Sequence, residues 1–301
     1  MCDREQLALM AANKLDRRRF GGALAATGGV AMLGACTVGS NGEAAGEAST
    51  AAIGSGGVLA SEVAVPAPGG TIGGWFYRPS AGKHPAVIMW PDIAGVRPAS
   101  KAMGERLARE GHAVIVPDPY WRDAGHATFA DFADFAQNGG FDKVAPWRKR
   151  FSAATVAEDS AALVAWLDGQ EAVDGDTPMG ARGHCMTGSW PIHAVKASSR
   201  IRAAASMHGG GLVTDAPDSP HRQLIGAGVY HIAIAQNDDA KAPGEKTVLT
   251  DALKESGAAG TVEVYPADHG WTVPDSPAYD KAQAERAYAT FLAMLRSLAK
   301  A

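Results

Sequence analysis

The sequence predicts an α/β fold, a mainly parallel, doubly wound sheet with helices on both faces. Short apolar runs that read as buried strands alternate with segments of helical periodicity. The candidate working residues also fall just after such runs, at the C-terminal strand ends where folds of this kind gather them. Residues 58–301 read as one domain, long enough to bury a full core. Glu62 to Val65 and Gly74 to Arg78 form an opening hairpin about Pro68-Gly69-Gly70. Ala86 to Trp90 (AVIMW) is apolar throughout, the pattern of a strand covered on both faces. Pro98 to Glu110 spaces Met103 and Leu107 helically and stops at Gly111. Ala113 to Val116 is a further buried strand, and Thr155 to Leu167 a helix. Strands follow at Met179 to Gly183, Ile201 to Met207, Val229 to Ala235 and Val262 to Tyr265, and Tyr279 to Leu298 closes the chain as a long helix.

With 46% hydrophobic and 20% charged residues, the composition is that of a folded domain and not of a disordered or fibrous chain. A formal net charge of -4 supplies no basic stripe, so nucleic acid is not an expected partner. Ahead of the domain, Arg17-Arg18-Arg19-Phe20 precedes an uncharged stretch from Gly21 to Ala35, too short to span a bilayer. A basic patch, a short apolar core and small residues at its end describe an export signal over 1–36, of twin-arginine-like type. Its end, Leu33-Gly34-Ala35-Cys36, reads as a lipobox, with lipid expected on Cys36. The expected location is therefore exported: periplasmic, or held at the membrane through that lipid. Residues 37–57, rich in Gly, Ala and Ser, read as a flexible linker.

Of three cysteines, Cys2 and Cys36 fall in the signal, which leaves Cys185 alone in the domain. It sits in Gly183-His184-Cys185-Met186-Thr187-Gly188, between a strand and a helix-compatible segment. A nucleophile on so sharp a turn needs small neighbours, and the following helix favours a thiolate. The backbone N–H of Met186 would point at a developing oxyanion. Taken alone, the motif fits a buried structural cysteine equally well. Downstream, Asp238 and Asp239 follow one strand and His269 follows the next. Nucleophile, acid, histidine is the chain order that α/β-hydrolases use. His269 would take the thiol proton, and Asp238, preferred over Asp239, would hold the imidazole tautomer. His208 reads equally as a pocket residue or a polar turn residue, and His184 as packing. Phe129, Phe132 and Phe135, with Trp121, lie in a long connection and either cap an apolar pocket or bury themselves.

These residues, with Pro91-Asp92-Ile93-Ala94-Gly95-Val96, the run Glu110 to Tyr120 with its Pro-Asp-x-Tyr end, and the closing helix, resemble the dienelactone hydrolase family. The resemblance spans nearly the whole domain. It implies the α/β-hydrolase fold and a hydrolase of ester, thioester or lactone bonds acting through Cys185, Asp238 and His269. It further implies an oxyanion hole from the N–H groups of Ile93 and Met186, and Asp92 as an acid beside the resting thiol. No cofactor or metal is expected, and the partner is a small ester or lactone. A non-catalytic, lipid-anchored binding protein on the same fold is the alternative. Gly270-Trp271-Thr272-Val273 offers no arginine after the histidine, so neutral esters are expected to outrank anionic ones unless Arg148 or Arg150 intervenes.

Overall fold

The computed structural model describes residues 52–53, 57–125 and 128–298. The expected signal and Cys36 lie outside these residues. Within the expected linker, Ala52–Ile53 (β1) pairs antiparallel with the first long strand. That strand, β2 (Val58–Ala67), and β3 (Gly70–Pro79) form the predicted hairpin, longer at both ends than the sequence suggested.

The chain then winds a parallel sheet. Its strands are β4 (Ala86–Trp90), β5 (Ala113–Pro117), β6 (Met179–His184), β7 (Ile201–Met207), β8 (Val229–Ala235) and β9 (Ala259–Tyr265). The order across the sheet is β1-β2-β3-β5-β4-β6-β7-β8-β9, antiparallel through β3/β5 and parallel from there on. From β4 the chain first runs outward to β5 and then returns to β6 on the other side. The β4/β6 boundary is therefore the switch point, where a crevice opens beyond the strand ends.

Helices cover both faces. On one side α4 (Ala153–Asp168), α5 (Trp190–Ala197) and α7 (Glu245–Glu255) pack Leu163, Leu167, Ile192 and Leu249 against Ala86, Ile88 and Trp90. On the other, α1 (Pro98–Arg109) and α8 (Lys281–Leu298) lay Leu107, Phe291 and Leu295 on Val87 and Met89. Alternate residues of β4 thus serve opposite cores, which is why the run is apolar at every position. The connection from β5 to α4 holds two short helices, α2 (Phe132–Gln137) and α3 (Gly140–Arg148). Asp131 caps α2 by accepting from Asp134 N at 2.8 Å, and Ser152 caps α4 by accepting from Thr155 N at 3.2 Å. A short helix α6 (Gln236–Lys241) follows β8, so the two acids sit in a helical turn and not at the strand's end.

Candidate active site

Cys185 begins a single 3-10 turn directly after β6 and has φ 56°, one of two positive values among the described residues other than glycine. Such a backbone is strained for a side-chain-bearing residue, and strain of this kind gathers at functional sites. The flanking glycines are forced. A Cβ on Gly183 would stand 2.1 Å from Thr187 O, and one on Gly188 2.3 Å from Gly209 Cα. Thr187 tightens the turn, since its Oγ1 accepts from His184 N at 3.0 Å and donates to Pro91 O at 2.9 Å. That second bond ties the elbow to the loop after β4. The sulfur is buried, with 4% of the residue exposed.

The acid–base pair forms at the ends of β8 and β9. His269 Nδ1 lies 2.5 Å from Asp238 Oδ2, and His269 N donates to Asn237 Oδ1 at 2.9 Å. The loop after β9 is thereby fixed to α6. Asp239 turns away to Lys246 Nζ at 2.9 Å, which settles which of the adjacent acids pairs with the imidazole.

Ile93 and Met186 lie on the two loops that flank the crevice. Tyr120 Oη donates to Ile93 O at 2.7 Å and lies 3.3 Å from Met186 Sδ, so one phenol braces both loops. Burial raises its pKa well above the usual value; the charges of Asp92 and Cys185 act the same way against the cation of Arg148. Asp92 is on the expected loop and buried, but both of its oxygens face Arg97. Nη1 donates to Oδ1 at 2.6 Å and Nη2 to Oδ2 at 2.8 Å, while Ala94 N donates to Oδ1 at 2.9 Å. The acid expected beside the thiol is therefore one arm of a buried ion pair. Arg97 reaches with its other edge to Asp275, through Nε and Nη2 at 2.8 Å each. Asp275 also accepts from Phe132 N at 3.0 Å, which joins the loop after β4, the loop after β9 and α2 at one guanidinium. Sequence reading missed this node.

His208 is the second residue with a positive φ, 41°, which turns its ring beside His269, with centroids 4.9 Å apart. Its Nε2 lies 2.8 Å from Thr272 Oγ1. It is a buried neighbour of the candidate base, and burial drives its pKa well below the usual value, helped by the charges of His269, His184 and Arg182. His184 packs as expected, fully buried, with Nδ1 3.0 Å from Trp90 O.

The long connection supplies an aromatic wall. Phe129, Phe132, Phe135 and Tyr120 share one buried cluster with Cys185 and Ile93, against which Phe141, Trp147, Phe151 and Met186 pack. Trp121 goes elsewhere, to the core under α4, with Nε1 3.2 Å from Asp159. Beside Met186 a cavity of roughly 390 Å³ opens between Phe151, Val156 and Trp190, with exposed Arg148 and Lys149 at its rim. Arg150 instead pairs with Asp123 at 2.8 Å. Among the described residues no group of His, Cys, Asp and Glu could hold a metal ion.

The profile of the dienelactone hydrolase family matches residues 72–299. The chain belongs to that family. It is a hydrolase of ester or lactone bonds. A provisional carboxymethylenebutenolidase of Synechocystis sp. is 24% identical over 75% of this chain and 92% of its own length. A similar relative from Escherichia coli K12 is 25% identical over 76% of this chain and 83% of its own. Among solved structures, a provisional dienelactone hydrolase from Klebsiella pneumoniae superposes with TM-score 0.68 at 21% identity, covering 79% of this chain and 98% of the other. An esterase from Pyrobaculum calidifontis gives 0.54 at 17%, covering 80% and 86%. These structural likenesses bear on the fold, the predicted α/β-hydrolase arrangement.

Proposed function

We propose that this hydrolase cleaves its ester, thioester or lactone through an acyl-cysteine intermediate formed on Cys185. His269 takes the thiol proton as Sγ attacks the carbonyl carbon, and the carbonyl electrons move to oxygen. The N–H groups of Ile93 and Met186 hold that oxyanion. Collapse expels the alcohol, thiol or lactone oxygen, which receives the proton from His269. His269 then draws a proton from water, the hydroxide adds to the thioester, and the second collapse releases the acid and restores the thiol. Throughout, Asp238 keeps the Nδ1 proton in place and stabilises the imidazolium.

The observation that carries this reading is the 2.5 Å bond between His269 Nδ1 and Asp238 Oδ2, formed after adjacent strands of the sheet whose β6 leads into the strained turn of Cys185. The test is a screen of chromogenic esters and lactones on the wild type, Cys185→Ala and His269→Ala. Each single change should lower activity by about 10⁴-fold, and the double variant should be little worse, because triad members act as a unit. Full activity in Cys185→Ala would end the proposal and move the search to Ser189 or Ser206.

We further propose export with lipid on Cys36, on the strength of the Arg17-Arg18 pair and the Leu33-Gly34-Ala35-Cys36 sequence. Intact mass of membrane-fraction protein should show a lipid-sized addition at Cys36. A mature chain that begins elsewhere, or that keeps residues 1–35, contradicts it.

A further inference from the structure

On the far side of the sheet from the aromatic wall, the side chain of Arg182 lies among apolar residues, without a counter-ion among the described residues. It projects from the middle of β6, and only 3% of the residue is exposed. The guanidinium makes no hydrogen bond or ion pair with any described residue; its neighbours are the rings of Tyr288 and Phe291, at 5.8 and 5.7 Å. A buried charge left this way is costly, and proteins pair such groups or give them a ligand. The surroundings register the charge. Burial lowers the pKa of Arg182 itself to about 10, and its positive charge helps depress His184, His208 and His231.

The guanidinium forms one wall of a cavity of roughly 160 Å³ between α1, α8 and the loop after His269. Tyr288 Oη, a second donor, is buried there with no hydrogen-bond partner among the described residues, and burial raises its pKa to about 12, which keeps it protonated. The remaining wall is mostly apolar, with Met103, Pro274 and Ala284. Arg106, the other cation among the described residues that line the cavity, is already held in a two-pronged pair with Glu285. Among the described residues no aspartate or glutamate lines the space.

We infer that this cavity is a binding site for a small monocarboxylate with a short apolar tail, its oxygens meeting Arg182 and Tyr288 and its tail meeting Met103 and Pro274. Two unsatisfied donors, one of them cationic, ask for an acceptor that carries negative charge, and a planar carboxylate matches the guanidinium fork. The volume admits only a few heavy atoms, which excludes nucleotides and long acyl chains. The site is separate from the crevice that holds Cys185. It nonetheless adjoins the catalytic machinery, because Thr272 lines the cavity and bonds His208, whose ring touches His269.

The test is thermal unfolding of the full chain titrated with propionate at fixed ionic strength, with propionamide as the uncharged control. It needs no turnover, so it stands or falls apart from the hydrolase mechanism. Propionate should raise Tm saturably and propionamide should not. Arg182→Met, which keeps the packed stem and drops the charge, should weaken the apparent Kd by about tenfold or more. Tyr288→Phe should weaken it less. Should Arg182→Met fail to fold, Tyr288→Phe and a crystal structure grown in propionate decide, and an occupant within hydrogen-bonding distance of Arg182 is the expected result. No saturable shift, an equal shift with propionamide, or propionate binding unchanged in Arg182→Met would overturn the inference. The last result would place the bound carboxylate in the hydrolytic crevice instead.

Discussion

Replacing Arg97 with methionine should be among the most damaging single changes available outside Cys185, Asp238 and His269. The side chain is fully buried, and it meets Asp92 through two bonds of 2.6 and 2.8 Å and Asp275 through two of 2.8 Å. Burial alone would lower its pKa, and the two aspartates more than reverse that. The carboxylates differ in what removal of the cation does to them. Asp275 is 22% exposed and can recover water, whereas Asp92, at 4%, keeps only the Ala94 N–H and remains a buried charge. Losing one partner of a buried pair costs about 3–5 kcal/mol. With a urea m-value of about 3 kcal/mol/M for a domain of this size, the midpoint should fall by roughly 1–1.7 M. Adding Asp92→Asn, which removes the stranded charge and keeps an acceptor for Ala94 N, should restore much of the loss. Urea unfolding followed by circular dichroism reads both variants. If Arg97→Met stays within about 1 kcal/mol of wild type, or Asp92→Asn brings no rescue, then desolvation of Asp92 is not what makes the pair matter.

Gly183→Ala should abolish folding or activity, because its Cβ would stand 2.1 Å from Thr187 O; a variant with normal Tm and esterase rate would show that the elbow can relax. Stability should fall as pH drops from 7 towards 5, since the unfolded chain takes up protons that buried histidines refuse. His231 is the clearest case, its pKa lowered to about 4 by burial and then by Arg182 and Arg286. Between about pH 6.5 and 4 it binds a proton only when unfolded, a slope of about 1.4 kcal/mol per pH unit. His231→Gln should flatten the pH dependence by that amount in urea titrations, and an unchanged slope would assign the effect to other groups. For matched neutral and carboxylated esters, kcat/KM should favour the neutral one, because the groups gathered around Cys185 are aromatic and apolar while Arg148 and Lys149 stay exposed at the rim. A preference for the anion that disappears in Arg148→Met would reverse this.

The parts of the fold that the sequence made legible are those where burial on both faces leaves no freedom of composition. Ile201–Met207 and Val229–Ala235 stand where the apolar runs put them. The elbow was legible because steric demand forces glycine at fixed positions around Cys185, and the Asp238/His269 pair because chain order matches strand order. What stayed hidden depends on contacts between distant segments. Arg97 finds Asp275 across 178 positions, and no local pattern announces that a guanidinium between them will anchor three loops. Asp92 was read as an acid beside the thiol, and its ion pair with Arg97 left no mark in the sequence. The helix α7 lacks a side-chain cap and buries only Leu249 and Leu253, too thin a stripe to stand out. The turn at His208 left nothing in the sequence to choose between pocket and surface, because a histidine at positive φ has no signature of its own.

Covalent chemistry at Cys185 is tested most directly by trapping the intermediate. A slowly deacylated ester, mixed with enzyme and quenched in acid within the first turnovers, should leave an acyl mass on the peptide that contains Cys185. The adduct should form and decay at the rate of turnover, and it should be absent in Cys185→Ala and nearly absent in His269→Ala. Turnover with no adduct on that peptide, or an acyl group found on a serine, would contradict the account.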